Sequence, residues 1–106
     1  KHGPIALIDD EVVVVGVVPN GDLHAKTLAN MEEMRARDGR LLLLLTEGDD
    51  QGAALADEVV WLPEMDEMLS PVVATIPLQL LSYWIAKARG LDVDKPRNLA
   101  KTVTVE

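Results

Sequence analysis

The sequence contains no cysteine and no phenylalanine, and its 106 residues include only two tryptophans and one tyrosine. Without cysteine, the chain can form no disulfide, no thiolate metal site and no cysteine nucleophile. Basic residues are also few: 10 Lys and Arg face 18 Asp and Glu, which leaves a formal net charge of −8. A nucleic-acid-binding domain normally carries a basic surplus, so we expect no nucleic-acid partner. The core must be built from Val, Leu, Ile, Ala and Met.

Long apolar runs and nucleotide-binding motifs are absent as well. A membrane-spanning helix needs about 20 apolar residues in succession, and Gly16 interrupts the longest valine-rich run. We therefore expect no membrane segment. Neither a G-x-G-x-x-G nor a G-x-x-x-x-G-K-[S/T] motif is present. The two histidines, His2 and His24, lack metal-ligand spacing, so we expect no metal site. Because residue 1 is lysine, we interpret the chain as a piece of a longer protein.

Three short segments have the composition of strands. Val12–Val18 is valine-rich without polar alternation, which is typical of a strand buried on both faces of a parallel sheet. Leu41–Leu45 lies in a gap between glycines that is too short for a helix, so a second strand is predicted there. Glu58–Leu62 is predicted as a third strand, ended by Pro63.

Two longer segments favour helices. Leu23–Asp38 has apolar residues at helical spacing, with Asn20 or Asp22 as a cap and Gly39 as a stop. The segment between strands two and three, Thr46–Gly52, is predicted as an acidic loop.

The second long helix is predicted from Pro71 to Ala88, after a short helical turn at Asp66–Leu69. Ser70 and Pro71 form a start signal, and Gly90 closes the helix. Pro77 lies inside it and should kink it. Buried strands joined by helical crossovers indicate an α/β fold with a parallel sheet, followed by an irregular tail.

The remaining polar residues suggest little on composition alone. His24 is expected at the surface, and Asp49 and Asp50 are expected in a solvated turn. The tail is different, because the segment Lys95–Lys101 brings three cations into an acidic protein. It is either a plain surface tail or an arm over a site for an anionic ligand such as a phosphosugar.

Four segments together resemble the C-terminal end of the glucosamine-6-phosphate synthase family, also called glutamine–fructose-6-phosphate aminotransferase (isomerising). They are Lys1–Asp9 (KHGPIALID), Met31–Arg37 (MEEMRAR), Pro77–Tyr83 (PLQLLSY) and Asp92–Glu106 (DVDKPRNLAKTVTVE). The tail motif is highly specific, whereas related phosphosugar-binding domains share Lys-His-Gly-Pro.

The resemblance implies a partial sugar-isomerase (SIS) domain of flavodoxin-like, doubly wound type. It would have three parallel strands, two main helices and an irregular C-terminal tail. Residues 1–90 would be the truncated second SIS half of the family's isomerase domain, and residues 91–106 its active-site tail. In a doubly wound order, the Val12–Val18 strand would lie between missing upstream strands and the Leu41–Leu45 strand.

The implied parent is a cytoplasmic, homodimeric enzyme of amino-sugar biosynthesis. It moves ammonia from glutamine to fructose 6-phosphate, which gives glucosamine 6-phosphate and glutamate, and it needs no metal or organic cofactor. The family's phosphate loop, glutamate base and glutaminase domain have no counterpart in this chain. We therefore expect the isolated chain to be inactive.

The resemblance also assigns roles to four residues. The family's histidine at the position of His2 lies in the neighbouring subunit's active site and helps to open the sugar ring. Its lysine at the position of Lys101 binds substrate and engages the ketose carbonyl carbon, with a Schiff base as the implied intermediate. The backbone at Ala100 lies against the sugar, and the tail containing Arg97 covers the site.

Two other functions stay open at this point. One is a regulatory SIS module that binds a sugar phosphate without turning it over. The other is a structural domain whose role is subunit contact or oligomerisation. The catalytic-type lysine in the tail argues against the regulatory module, which has no use for a nucleophilic amine.

Overall fold

The computed structural model describes residues 2–95, and the chain divides into two compact units, Lys1–Ala74 and Thr75–Glu106. The elements in chain order are α1 (His2–Ile5), β1 (Val13–Val18), α2 (His24–Arg35), β2 (Arg40–Thr46), α3 (Asp50–Leu55), β3 (Glu58–Leu62), a 3₁₀ turn (Glu67–Leu69) and α4 (Ser70–Ala88). The predicted domain boundary at residue 90 stays a prediction.

The three strands form one parallel sheet in the order β1-β2-β3. Gly16 pairs with Leu43 between β1 and β2, and Leu45 pairs with Trp61 between β2 and β3. The predicted parallel α/β architecture is confirmed, and the strand bounds agree to within one residue at each end. Within the described residues β1 is an edge strand, and its predicted place between β2 and missing upstream strands stays a prediction.

One face of the sheet carries the main core. Val18, Leu41, Leu43 and Leu45 are buried there together with Leu28 of α2. A side chain at Gly16 would have its Cβ only 2.7 Å from the Met31 sulfur and 2.6 Å from Leu43, so glycine lets α2 approach β1 closely. α2 and α3 therefore pack on one face of the sheet and form one helix layer of an α/β arrangement.

The other face is open at β1, and the expectation that this strand is buried on both faces is wrong for the described chain. Its exposure alternates, with Val13, Val15 and Val17 exposed and Val18 and Gly16 buried. Alternate side chains of a strand point to opposite faces, so the exposed valines mark the less covered face of β1. In β2 the same face is better covered, as the burial of Leu44 shows.

The ends of α2 differ from the sequence prediction. Neither Asn20 nor Asp22 caps the helix: its N-cap position is Leu23, with no side-chain cap bond. At the other end Asp38 takes the left-handed conformation with φ 64°, and the Gly39 N–H donates to the Met34 carbonyl. The chain therefore leaves the helix before Gly39 rather than at it.

Two short helices were not predicted. α3 begins inside the segment predicted as an acidic loop and extends beyond it to Leu55, and α1 lies in the opening segment that carries His2. α3 is only 6 residues long, so it gives no helical periodicity to recognise. Its start is instead marked by Asp49, whose side chain accepts the Gly52 N–H.

The prediction of the long helix α4 is confirmed, and so is the helical turn before it. Gly90 has φ 70°, and its N–H donates to the Lys87 carbonyl, which ends the helix as expected. The stretch Glu67–Ala88 is, by length and composition alone, long and apolar enough to cross a membrane. The sequence analysis expected no such segment. The kink at Pro77 stays a prediction.

Candidate functional site

Ligands of open α/β sheets usually bind at the carboxyl ends of the strands. In this sheet β1 ends at Val18 and β2 at Thr46. The two ends are joined by the Asn20 backbone N–H, which donates to Thr46 Oγ1 over 3.0 Å. Because Thr46 is buried, this bond fixes the turn after β1 against the end of β2.

A histidine and an aspartate meet beside this edge. His24 Nε2 lies 2.6 Å from Asp49 Oδ2, and the two side chains are 19% and 4% exposed. The other oxygen, Asp49 Oδ1, accepts the Gly52 N–H at 2.9 Å. One buried carboxylate thus links the first turn of α2 to the first turn of α3. The expectation of a solvated Asp49 is wrong, and His24 is partly buried rather than fully exposed, because the two side chains bond to each other.

The pKa of the Asp49 carboxyl lies below its ordinary value of 3.8. Burial alone would raise this pKa, since a carboxylate loses hydration inside the protein. Hydrogen bonds from the Gly52 N–H and from His24 favour the ionised form and outweigh burial. Ionised Asp49 therefore stabilises the fold above the unfolded-state pKa, and this contribution is lost as the pH falls through the lower folded-state pKa.

We expect Asp49→Asn to lower the free energy of unfolding at neutral pH by about 1–2 kcal/mol, because asparagine can still cap α3 but loses the charge-assisted bond to His24. The difference between the variant and the native sequence should shrink as the pH falls below 3.8. Urea unfolding at a series of pH values measures both effects. Asp50→Asn, at the exposed neighbouring residue, is the control. If the difference in unfolding free energy between Asp49→Asn and the native sequence stayed constant below pH 3.8, the proposed role of the Asp49 charge would be contradicted.

A cavity of about 310 Å³ opens at the same edge. Its wall includes Pro19 after β1, His24 and Thr27 on α2, and Glu67 and Ser70. The Asp22 N–H donates to Glu67 Oε2 at 3.4 Å, which places this carboxylate against the turn after β1. The cavity combines hydroxyl, imidazole and carboxylate groups with apolar side chains such as Val17 and Leu23, and the Glu67 charge disfavours an anion in it.

The second unit has an apolar cavity of its own, of about 640 Å³. Tyr83 and Ala86 of α4 line it together with Leu91 and Val93 of the tail. Asp92 Oδ1 accepts the backbone N–H groups of two following residues, which makes a tight turn there. The first residues of the predicted active-site tail are thus folded back beside the end of α4.

Of the four site residues predicted from the sequence, the structure describes one. His2 is exposed and lies at the start of α1. Arg97, Ala100 and Lys101 lie outside the described residues, so their roles stay predictions. Residues 2–95 contain no group of three His, Asp or Glu side chains placed to hold a metal ion.

The fold and its carboxyl-edge site can be compared with known proteins. A profile of the SIS domain matches residues 1–89, which is most of the chain. The chain belongs to the SIS-domain family. The three-stranded parallel sheet is therefore part of an SIS fold, as the sequence predicted.

Two curated relatives of this SIS-domain chain share the name glutamine–fructose-6-phosphate aminotransferase (isomerising). The protein of that name from Thermus thermophilus is 53% identical over all 106 residues, which are 18% of its length. The one from Synechocystis is 55% identical over the same 106 residues, 17% of its length. This chain therefore spans under a fifth of the relatives that it matches, and corresponds to one piece of them.

A solved structure agrees with these sequence comparisons. The C-terminal domain of glucosamine-fructose-6-phosphate aminotransferase from Francisella tularensis superposes with a TM-score of 0.81 at 44% identity. The superposition covers 91% of this chain and 27% of that domain. The resemblance to the glucosamine-6-phosphate synthase family is thereby confirmed, and this SIS chain is a fragment of the family's isomerase domain.

Sequence reasoning missed the His24–Asp49 pair, and one weak signal could have found half of it. Asp49 follows Gly48, which has φ 86° and turns the chain out of β2, and an aspartate after such a turn is a common helix N-cap. Nothing in the sequence indicates that His24 is the partner, since the two residues are 25 positions apart and come together only through parallel strand pairing.

Proposed function

We propose that this SIS chain is part of an enzyme that converts fructose 6-phosphate and glutamine to glucosamine 6-phosphate and glutamate. The observation that carries the proposal is identity of 53% and 55% over all 106 residues to two enzymes named for that aminotransferase and isomerase reaction. The tail motif Asp92–Glu106, which holds the predicted catalytic lysine, lies within that aligned length. The proposed parent is a cytoplasmic homodimer that uses no cofactor.

The chain's own residues would act on the sugar half of the reaction. Opening the sugar ring requires proton transfer near neutral pH, which suits the imidazole of His2. Aminating the ketose requires access to its carbonyl carbon, which suits the amine of Lys101. The Ala100 backbone would lie against the sugar. The tail containing Arg97 would cover the site, which keeps water from competing with ammonia.

The exposure of His2 is consistent with action outside its own subunit. Its side chain is exposed in α1, as it must be if it enters the site of a neighbouring copy. An isologous dimer presents the same surface twice, so both sites would receive a histidine from the partner.

We expect two inactive variants of the intact parent to complement each other. In a dimer of one His2→Ala and one Lys101→Ala subunit, one site has both residues intact and the other has neither. Random mixing should therefore restore about a quarter of the wild-type rate, since half of the dimers are mixed and each has one working site. Glucosamine 6-phosphate formation after subunit exchange measures the recovery.

Each variant taken through the same exchange alone is the control and should stay inactive. If the mixture also stays inactive while native electrophoresis shows mixed dimers, His2 does not serve the neighbouring site. If His2→Ala alone keeps full turnover, His2 has no part in ring opening.

A further inference from the structure

The second unit exposes a row of large apolar side chains along α4. Ile76, Leu80 and Trp84 are each four residues apart, which places them on one side of a helix, and Tyr83 lies beside them. All four are exposed, with Trp84 at 58%. We call these four residues the α4 stripe. The helix carries no acidic residue, and Lys87 is its only charged residue, so this side of the helix is not a solvated face.

The chemistry of the α4 stripe is that of an interface centre. Tyr83 and Trp84 form an edge-to-face pair with ring centroids 5.2 Å apart, and Lys87 Nζ lies 5.2 Å from the Trp84 ring. Aromatic side chains are enriched in the buried centres of protein interfaces and carry much of their binding energy. A paired, partly preorganised aromatic cluster loses little conformational entropy when a partner covers it.

A lipid bilayer does not fit this helix, although Glu67–Ala88 has the length to cross one. Ser70 and Ala74, in its first turns, are buried in the first unit. Those turns therefore pack against protein and cannot also lie in lipid. The rest of the helix, from residue 75 to 88, is shorter than the roughly 20 residues that a span requires.

The chain's family membership indicates what does cover the α4 stripe. The superposition on the solved C-terminal domain accounts for 27% of that domain, so nearly three quarters of its residues lie outside this chain. We propose that the α4 stripe is the surface through which this chain packs against the remainder of its own isomerase domain. The proposal rests on family membership and not on the proposed reaction. Its test below uses no enzyme activity, so either can fail without the other.

Cysteine labelling of the intact parent tests the proposal with mild substitutions. This part of the protein has no native cysteine, so Leu80→Cys and Ile76→Cys place single reporters in the α4 stripe. Lys26→Cys, on the exposed side of α2, is the control. We expect the stripe cysteines to react with a maleimide at least about tenfold more slowly than the control, since a covered side chain reacts only through local opening. Peptide mass spectrometry locates the label.

The same labelling measurement distinguishes packing within one chain from contact with a second copy or with a membrane. Protection that persists when the parent is diluted to monomer supports packing within one chain, whereas protection lost with dimer dissociation would assign the stripe to a second copy and overturn the proposal. Protection that appears only with phosphatidylcholine–phosphatidylglycerol vesicles would assign it to a membrane. Labelling of Leu80→Cys as fast as Lys26→Cys in the intact parent would mean that nothing covers the stripe.

Discussion

Lys101→Arg in the intact parent is expected to lower turnover by about a thousandfold or more, with little change in phosphosugar binding. Arginine keeps the positive charge at this position, so electrostatic attraction to a phosphosugar should survive. It cannot supply a free amine, because the guanidinium stays protonated at any physiological pH and adds to no carbonyl. A covalent role therefore predicts a fall in kcat with KM almost unchanged.

Lys95→Arg provides a matched control for this experiment. It makes the same substitution six residues earlier in the same tail, at an exposed lysine to which the family resemblance assigns no contact with the sugar, and should keep full activity because the charge is retained. Trapping with borohydride gives a second readout, since a Schiff base on Lys101 would be reduced to a stable adduct found by mass spectrometry. If Lys101→Arg keeps most of the rate, the covalent role is wrong and an electrostatic role remains.

The strands could be predicted closely because their signal is local. Val12–Val18 and Leu41–Leu45 are apolar runs bounded by turn residues, and such runs need no knowledge of the rest of the chain. The crossover through α2 then fixes parallel pairing. The unequal covering of the two sheet faces could not be predicted in this way, because it depends on which other elements are present and not on the valines themselves.

The residues of the candidate site show the same difference between local sequence signals and tertiary structure. His2 and Lys101 were predicted through motifs that resemble a known family, and motifs are contiguous in sequence. The His24–Asp49 pair has no motif: it arises because parallel pairing of β1 and β2 brings the turn after each strand to one edge. Pairs of this kind depend on tertiary structure, so sequence alone predicted a surface histidine and a solvated aspartate.

The two faces of the sheet should respond very differently to loss of side-chain volume in the 106-residue chain. Leu43→Ala is expected to lower the free energy of unfolding by about 2–5 kcal/mol, because it leaves a cavity among close-packed neighbours. Leu43 is 0% exposed and lies in the main core. Urea unfolding followed by circular dichroism measures the loss.

Val15→Ala is the matched substitution on the open face, where Val15 is 41% exposed. In the 106-residue chain it should cost less than about 1 kcal/mol, since little apolar surface returns to water. In the intact parent the missing layer of the SIS fold should cover this valine, and the cost should rise towards the roughly 1.6 kcal/mol of two buried methylene equivalents. Thermal unfolding of both variants, in the chain and in the parent, gives the comparison. An equal and small effect of Val15→Ala in both would show that the open face of β1 stays open in the whole enzyme.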